Sequence, residues 1–379
     1  MNQWQARITT GLFCVLLFGF AIATMVKPPA DFSETENRVL TQRPEANLET
    51  VLSGDFEAQY EEYLTDQFLL RDHWIGLKTS IERLCLKRES KDIYFADDDY
   101  LIEKHTGTFT SDIAQRNLST LAQFTRQYQD RFGPEHMTVI IVPNAVDILD
   151  DKLPPFASPY DETSYLTQIA DMLPSGIWFD SEAVLKSHDE EELYYRTDHH
   201  WKTLAAFYVY QSWAAAKGYS VPEIAEFTIQ TVTNRFEGTI QSKLGIKTQG
   251  DTIELFLPNQ EPSYIIQKGN SDNAENNLYD MSALETKDKY AVFFGGNQAF
   301  MSIKTAAESE RKILVIKDSY ANCFVPFMLG DFQQIDILDL RYDRQSVYER
   351  IEAGGYTDLL VLYNAAGFAE DTGIPNLTR

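Results

Sequence analysis

The sequence predicts an α/β domain on a central, mostly parallel sheet flanked by helices, with a β-rich insertion and a transmembrane helix ahead of it. Three observations predict it. Short runs rich in β-branched residues, such as MTVIIVP at 137–143, KILVIK at 312–317 and the run from Asp358 to Tyr363, alternate with segments of helical spacing. Apolar strands alternating with helices imply a parallel sheet covered on both faces. Residues 220–290 change character, with runs such as Thr228–Val232 and Thr252–Leu257 among polar turns. Ile8 to Val26 carries no charge and stands between Arg7 and Lys27-Pro28-Pro29.

That uncharged run is about 28 Å long as a helix, close to the thickness of a bilayer's hydrocarbon layer. It suits an uncleaved anchor; the alternative is a signal peptide cut after Ala21-Ile22-Ala23. Either way the remainder is exported, and the expected organisation is an anchor over 1–27, a linker over 28–50 and a catalytic domain over 51–379. Residues 28–50 are rich in Pro, Asn, Thr and Glu, as an extended linker is. Phe56, Tyr60, Tyr63, Leu64 and Phe68 fall at helical spacing, as do Trp74, Leu77, Ile81, Leu84 and Cys85. Two short apolar runs around Asp97-Asp98-Asp99 predict a hairpin with a solvated turn. Helices are expected over 111–131, 164–173 and 201–217, the last stopped by Gly218. Ile177–Phe179, Tyr290–Phe294 and Ile335–Leu340 are expected strands.

The formal net charge of −24 sets the chain against nucleic-acid phosphates, so no nucleic acid is expected as a partner. Of three cysteines, Cys14 lies in the apolar run, leaving Cys85 and Cys323 to pair or stay free. No Cys-x-x-Cys or Cys/His spacing marks a metal site, and nothing calls for a cofactor.

Parallel sheets gather ligands at the carboxyl ends of their strands, where Asn144, Ser319 and Asn364 fall. Thr197-Asp198-His199-His200-Trp201 holds two of the six histidines. In an extended segment Asp198 and His200 share a face, and a carboxylate beside an imidazole fixes its tautomer for general-base work. Ser319 follows a buried strand and precedes the apolar run Tyr320–Leu329, expected to be helical. A serine at such a turn exposes its hydroxyl, and N–H groups such as that of Tyr320 lie where an oxyanion forms. Asn364, Asn297 and Asn144 are amides that can bind an oxyanion or substrate, and Trp201 is positioned to wall the pocket. The same residues also suit humbler work: Thr197, Asp198 and Ser319 as helix caps, the asparagines as turn residues.

The string YYRTDHHW at 194–201, then Gly295-Gly296-Asn297, then Lys317-Asp318-Ser319-Tyr320, resemble the DHHW protein family, as does the early stretch Phe32-Ser33-Glu34-Thr35-Glu36-Asn37-Arg38. That family is similar to the SGNH-hydrolase-like proteins that O-acetylate alginate and other exopolysaccharides. The resemblance implies an O-acetyltransferase or esterase in which Asp198 orients, His200 is the base and Ser319 the acylated nucleophile. It also implies a polysaccharide acceptor and a membrane acyltransferase of the MBOAT type as donor partner. A non-catalytic, glycan-binding scaffold is the rival reading. The sequence departs from the pattern at Lys202, where Thr or Ser is common, and at Asp318, where the SGNH form is Gly-Asp-Ser, which leaves the nearest oxyanion donors open.

Overall fold

The computed structural model describes residues 2–33, 38–269 and 274–378. The chain divides into two compact units, Met1–Lys87 with Ser242–Lys247, and Arg88–Gln241 with Thr248–Arg379. Most of the early family-like stretch, residues 34–37, lies outside the described residues.

In the first unit a helix runs from Gln3 to Val26, about 36 Å at ~1.5 Å per residue, with none of its residues buried. It is long and apolar enough to cross a membrane, as an anchor or a signal sequence. Two further helices, Asp55–Gln67 and Arg71–Leu84, match the two runs of helical spacing.

The second unit is built on a seven-stranded sheet. In chain order its strands are β1 Met137–Val142, β2 Tyr264–Lys268, β3 Ala274–Glu275, β4 Phe300–Thr305, β5 Lys312–Lys317, β6 Gln334–Leu338 and β7 Asp358–Asn364. Their spatial order is β3-β2-β4-β6-β5-β7-β1. The four strands β6, β5, β7 and β1 run parallel, whereas β4, β2 and β3 add on antiparallel. The expected mostly parallel sheet is therefore mixed. The reason is local: β2, β3 and β4 follow one another through short connections and 3₁₀ segments, without the crossover helix that a parallel pair requires.

The parallel strands are buried on both faces, as their continuous apolar runs require. Ile140, Val142, Ile313, Val315, Leu360 and Leu362 point into one core, with the helix Thr203–Lys217. Val139, Ile141, Leu314, Ile316, Leu359 and Val361 point into the other, with the helix Asp112–His136. Gly218 ends the first helix with φ 68°, in the left-handed conformation that suits glycine. The predicted hairpin pairs Ile93–Phe95 with Leu101–Glu103. Phe227–Phe236 and Asp251–Pro258 form a separate antiparallel ribbon.

Three elements differ from expectation. Tyr290–Phe294 is a 3₁₀ turn over Lys289–Val292, because a short apolar run marks burial and not backbone type. Ile177–Phe179 makes only a single bridge, Val139 to Trp178. The run after Ser319 is two 3₁₀ segments, Ser319–Asn322 and Val325–Gly330, with Pro326 at the start of the second.

Candidate active site

Asp198 and His200 sit on the tight connection between Leu193 and the helix at Thr203, closed by a bridge between Tyr194 and Trp201. Asp251 holds this loop by accepting from the N–H groups of Arg196 (2.9 Å) and Thr197 (2.8 Å) and from the Thr197 hydroxyl (2.6 Å). The following helix is capped by Lys202, not by Thr197 or Asp198, so the capping reading of those two fails. Gly238 packs so closely on Asp198 that a Cβ there would overlap the Asp198 side chain.

Asp198 Oδ1 accepts from His200 Nδ1 at 2.5 Å and from the His200 N–H at 3.0 Å. Its Oδ2 accepts from the N–H (2.8 Å) and hydroxyl (3.1 Å) of Thr239. On the ring's far side, His200 Nε2 lies 2.7 Å from Ser319 Oγ. With Nδ1 donating to a carboxylate, Nε2 is left to accept the serine proton. All three residues are nearly withdrawn from solvent: Asp198 is 2% exposed, His200 6% and Ser319 7%. Tyr290 stacks on the imidazole, centroids 3.8 Å apart and planes 15° from parallel.

Two reciprocal bonds tie the serine turn to the histidine loop. The Trp201 indole donates to the Tyr320 carbonyl at 2.9 Å, and the Tyr320 hydroxyl donates to the His199 carbonyl at 2.5 Å. Burial pushes the basicity of His200 down to about 4, with His199 adding to the effect and Asp198 opposing it. Burial disfavours charge on Asp198 too, but the histidines beside it and the bonds from His200 and Thr239 hold its carboxyl well below the usual range. The site at neutral pH is a carboxylate, a neutral imidazole and a hydroxyl in a row. The Asp198 carboxylate and the rings of His199 and His200 also cluster as metal-ligand types do. A cation there would displace the bonds to Ser319 and to Thr239, which His199 Nδ1 meets at 3.0 Å.

The other predicted site residues separate into two groups. Asn364 donates its N–H (2.8 Å) and Nδ2 (2.6 Å) to Asp318, while its Oδ1 accepts from Asn144 Nδ2 (3.0 Å) and the Gly367 N–H (2.7 Å). Asn144 Oδ1 accepts from the Ala366 N–H at 2.9 Å. Both amides are thus spent inside the protein, and the Tyr320 N–H is spent on Asp318 at 2.9 Å. Trp201 is fully buried, which leaves no ring face for a sugar. Asn297 alone of these is exposed, with Oδ1 turned inward to Lys317 (3.0 Å) and Asn322 (3.2 Å). Tyr290, Thr239 and Asp251 escape the sequence analysis as site residues, and Lys317 enters it only within a strand and the family-like string, with no role; of these only Lys317 carries a signal, a charge ending an otherwise apolar strand.

The structure thus sets a serine at the carboxyl edge of an α/β sheet, hydrogen-bonded to a His–Asp pair. The DHHW protein family model matches residues 120–338, more than half of the chain, and the chain belongs to that family. A DHHW family protein from Eubacterium siraeum has a similar fold, with a TM-score of 0.60 and 22% identity over 77% of this chain and 96% of that one. PatB1 of Bacillus cereus gives 0.62 and 22% over 73% and 97%, and its structure with a sulfonyl adduct gives 0.60 and 22% over 74% and 98%. At such identity the likeness is one of fold. No curated protein sequence matches the chain.

Proposed function

We propose that the chain is an extracytoplasmic O-acetyltransferase, tethered by its N-terminal helix, that acetylates a cell-wall or secreted polysaccharide through an acyl-enzyme on Ser319. The observation that carries this reading is the unbroken row Asp198–His200–Ser319, with contacts of 2.5 and 2.7 Å. Ser319 Oγ adds to the donor's acetyl carbonyl while His200 Nε2 takes the hydroxyl proton, and the donor's oxygen leaves with that proton. An acceptor hydroxyl then gives its proton to Nε2 and adds to the acyl carbonyl. Ser319 Oγ leaves and recovers the proton. Asp198 stabilises the imidazolium formed between these steps.

Asn297 is the favoured oxyanion donor, since the amides of Asn364 and Asn144 are committed elsewhere. The resemblance to exopolysaccharide acetylating proteins supports a polysaccharide acceptor and an MBOAT-type donor partner in the membrane. On this reading residues 1–27 are the tether, 28–50 the linker and 51–379 the catalytic part.

The test uses the purified full chain and a sulfonyl fluoride, the reagent class suggested by the adduct on PatB1. Mass spectrometry is expected to place one adduct on Ser319, and equal labelling of Ser319→Ala would sink the assignment. Acetyl-ester turnover that is faster with an acceptor oligosaccharide supports transfer. Turnover indifferent to it would make the protein an esterase.

A further inference from the structure

We propose that Lys317 is a positioning residue, whose ammonium holds the Asn297 amide with Oδ1 inward and Nδ2 presented to the reacting carbonyl. This rests on the reading of Ser319 as nucleophile and Asn297 as oxyanion donor. Lys317 ends β5, two residues before Ser319, and is 2% exposed. Its ammonium meets three acceptors: Asn322 Oδ1 at 2.8 Å, Asn297 Oδ1 at 3.0 Å and Asp339 Oδ2 at 3.3 Å. An ammonium has three donors and no acceptor, so these partners saturate it.

The polarity of Asn297 follows. Its Oδ1 also accepts from Asn322 Nδ2 at 3.2 Å, and Asn322 is itself oriented by Lys317. Turning the Asn297 amide over would set its NH₂ against two donors at once. Asn297 sits on a loop that follows Phe294, Gly295 and Gly296, with φ of 63°, 72° and 90°, whose Phe294 and Gly296 N–H groups donate to the Leu278 and Phe293 carbonyls. Lys317 therefore ties this loop to the strand that carries the nucleophile. Asp339 would stay compensated without it, because Arg341 grips the same carboxylate at 2.9 and 2.7 Å. Burial lowers the Lys317 ammonium to about 8, so the charged, all-donor form prevails at neutral pH.

A double-mutant cycle in the full chain tests the coupling, with p-nitrophenyl acetate as probe and melting temperature followed in parallel. Asn297→Ala is expected to lower kcat by about 10²–10³-fold, the usual cost of one oxyanion donor. Lys317→Met is expected to lower kcat at least tenfold with KM within about twofold, and the double variant to be no slower than Asn297→Ala, because a residue acting through another does not add to it. Losses that multiply, or a Lys317→Met effect confined to KM or melting temperature, would overturn the proposal. If Lys317→Met does not fold, Asn297→Asp decides. It keeps an oxygen on Lys317 while removing Nδ2, so it should lose kcat as Asn297→Ala does, and unchanged kcat refutes the idea. An unlabelled wild-type Ser319 would instead bring down the nucleophile reading beneath it.

Discussion

Two aspartates flank Ser319, Asp198 through the His200 ring and Asp318 as its neighbour in the chain, and both are almost wholly withdrawn from water: Asp198 is 2% exposed and Asp318 1%. Asp198 has an imidazole at 2.5 Å and a second histidine at 3.5 Å, and its carboxyl is held well below the usual range. Asp318 accepts from amides: the Tyr320 N–H, the Asn364 N–H and Asn364 Nδ2. Burial drives its pKa up to about 6, against the pull of Arg341 and those amides. The same side chain, equally buried, is thus a permanent anion on the histidine side and a titrating buttress on the strand side. A partner that can take up a proton lets a carboxylate support charge that moves during a reaction, whereas amide partners make it a brace.

The sharpest way to break this comparison is to neutralise each aspartate without changing its shape. Asp198→Asn presents an amide to His200 Nδ1 and turns the imidazole toward the wrong tautomer. The expected loss in kcat for acetyl-ester turnover is ~10⁴-fold, with the fold kept. A loss of less than tenfold would remove Asp198 from the reaction. Asp318→Asn sets a new NH₂ against the donors of Asn364 or Tyr320, leaving buried donors unsatisfied at a cost of about 1–3 kcal/mol. The expected result is a fall of several degrees in melting temperature and a kcat within about tenfold of wild type. A collapse in kcat with no change in melting temperature would mean that Asp318 belongs to the chemistry.

A finer probe of the brace is Gly367→Ala. A Cβ at Gly367 would come within 2.5 Å of Asn364 Nδ2 and 2.7 Å of Asp318 Oδ2. Forcing that contact is expected to destabilise by about 1–3 kcal/mol, read as a lower midpoint in urea. Sulfonyl labelling of Ser319 should fall less than in Asp198→Asn. Labelling lost to the same degree would show that the two sides are not separable.

The contact between Asp198 and His200 was legible because the two stand two residues apart, on a segment too short to diverge. Ser319 was legible because an apolar strand ended beside it. The strand side was only half legible. Asn144 and Asn364 stand at strand ends, as their apolar runs predict, but no pattern tells whether an amide there faces substrate or its neighbour. That depends on β1 and β7 pairing in register through Asn364 and Val142. Lys317 shows the same limit, since its partners Asn297 and Asp339 lie 20 and 22 residues away. The mixed character of the sheet was hidden for a related reason: β2 and β3 are short, and antiparallel addition at an edge leaves no trace in residue spacing.

The smallest effect, and the one that measures both sides at once, is the dependence on pH. His200 has a folded pKa of about 4, below the ~6.5 of an unfolded histidine. Between these values the unfolded chain binds the extra proton, so this group's contribution to stability rises with pH across the window. Asp318 has a folded pKa of about 6, above the ~3.9 of an unfolded aspartate. Between those values the folded chain binds the extra proton, so its contribution falls as pH rises. The two slopes oppose each other over nearly the same interval and flatten the profile between about pH 4 and 6. Removing one should unmask the other. In urea titrations at pH 4.5 and 6, His200→Gln is expected to lose stability as pH rises and Asp318→Asn to gain it. Turnover by the wild type should hold down to about pH 4, since the base stays neutral until then. An acid limb near 6.5, or parallel stability slopes in the two variants, would show that the two sides of Ser319 do not differ electrostatically as their partners require.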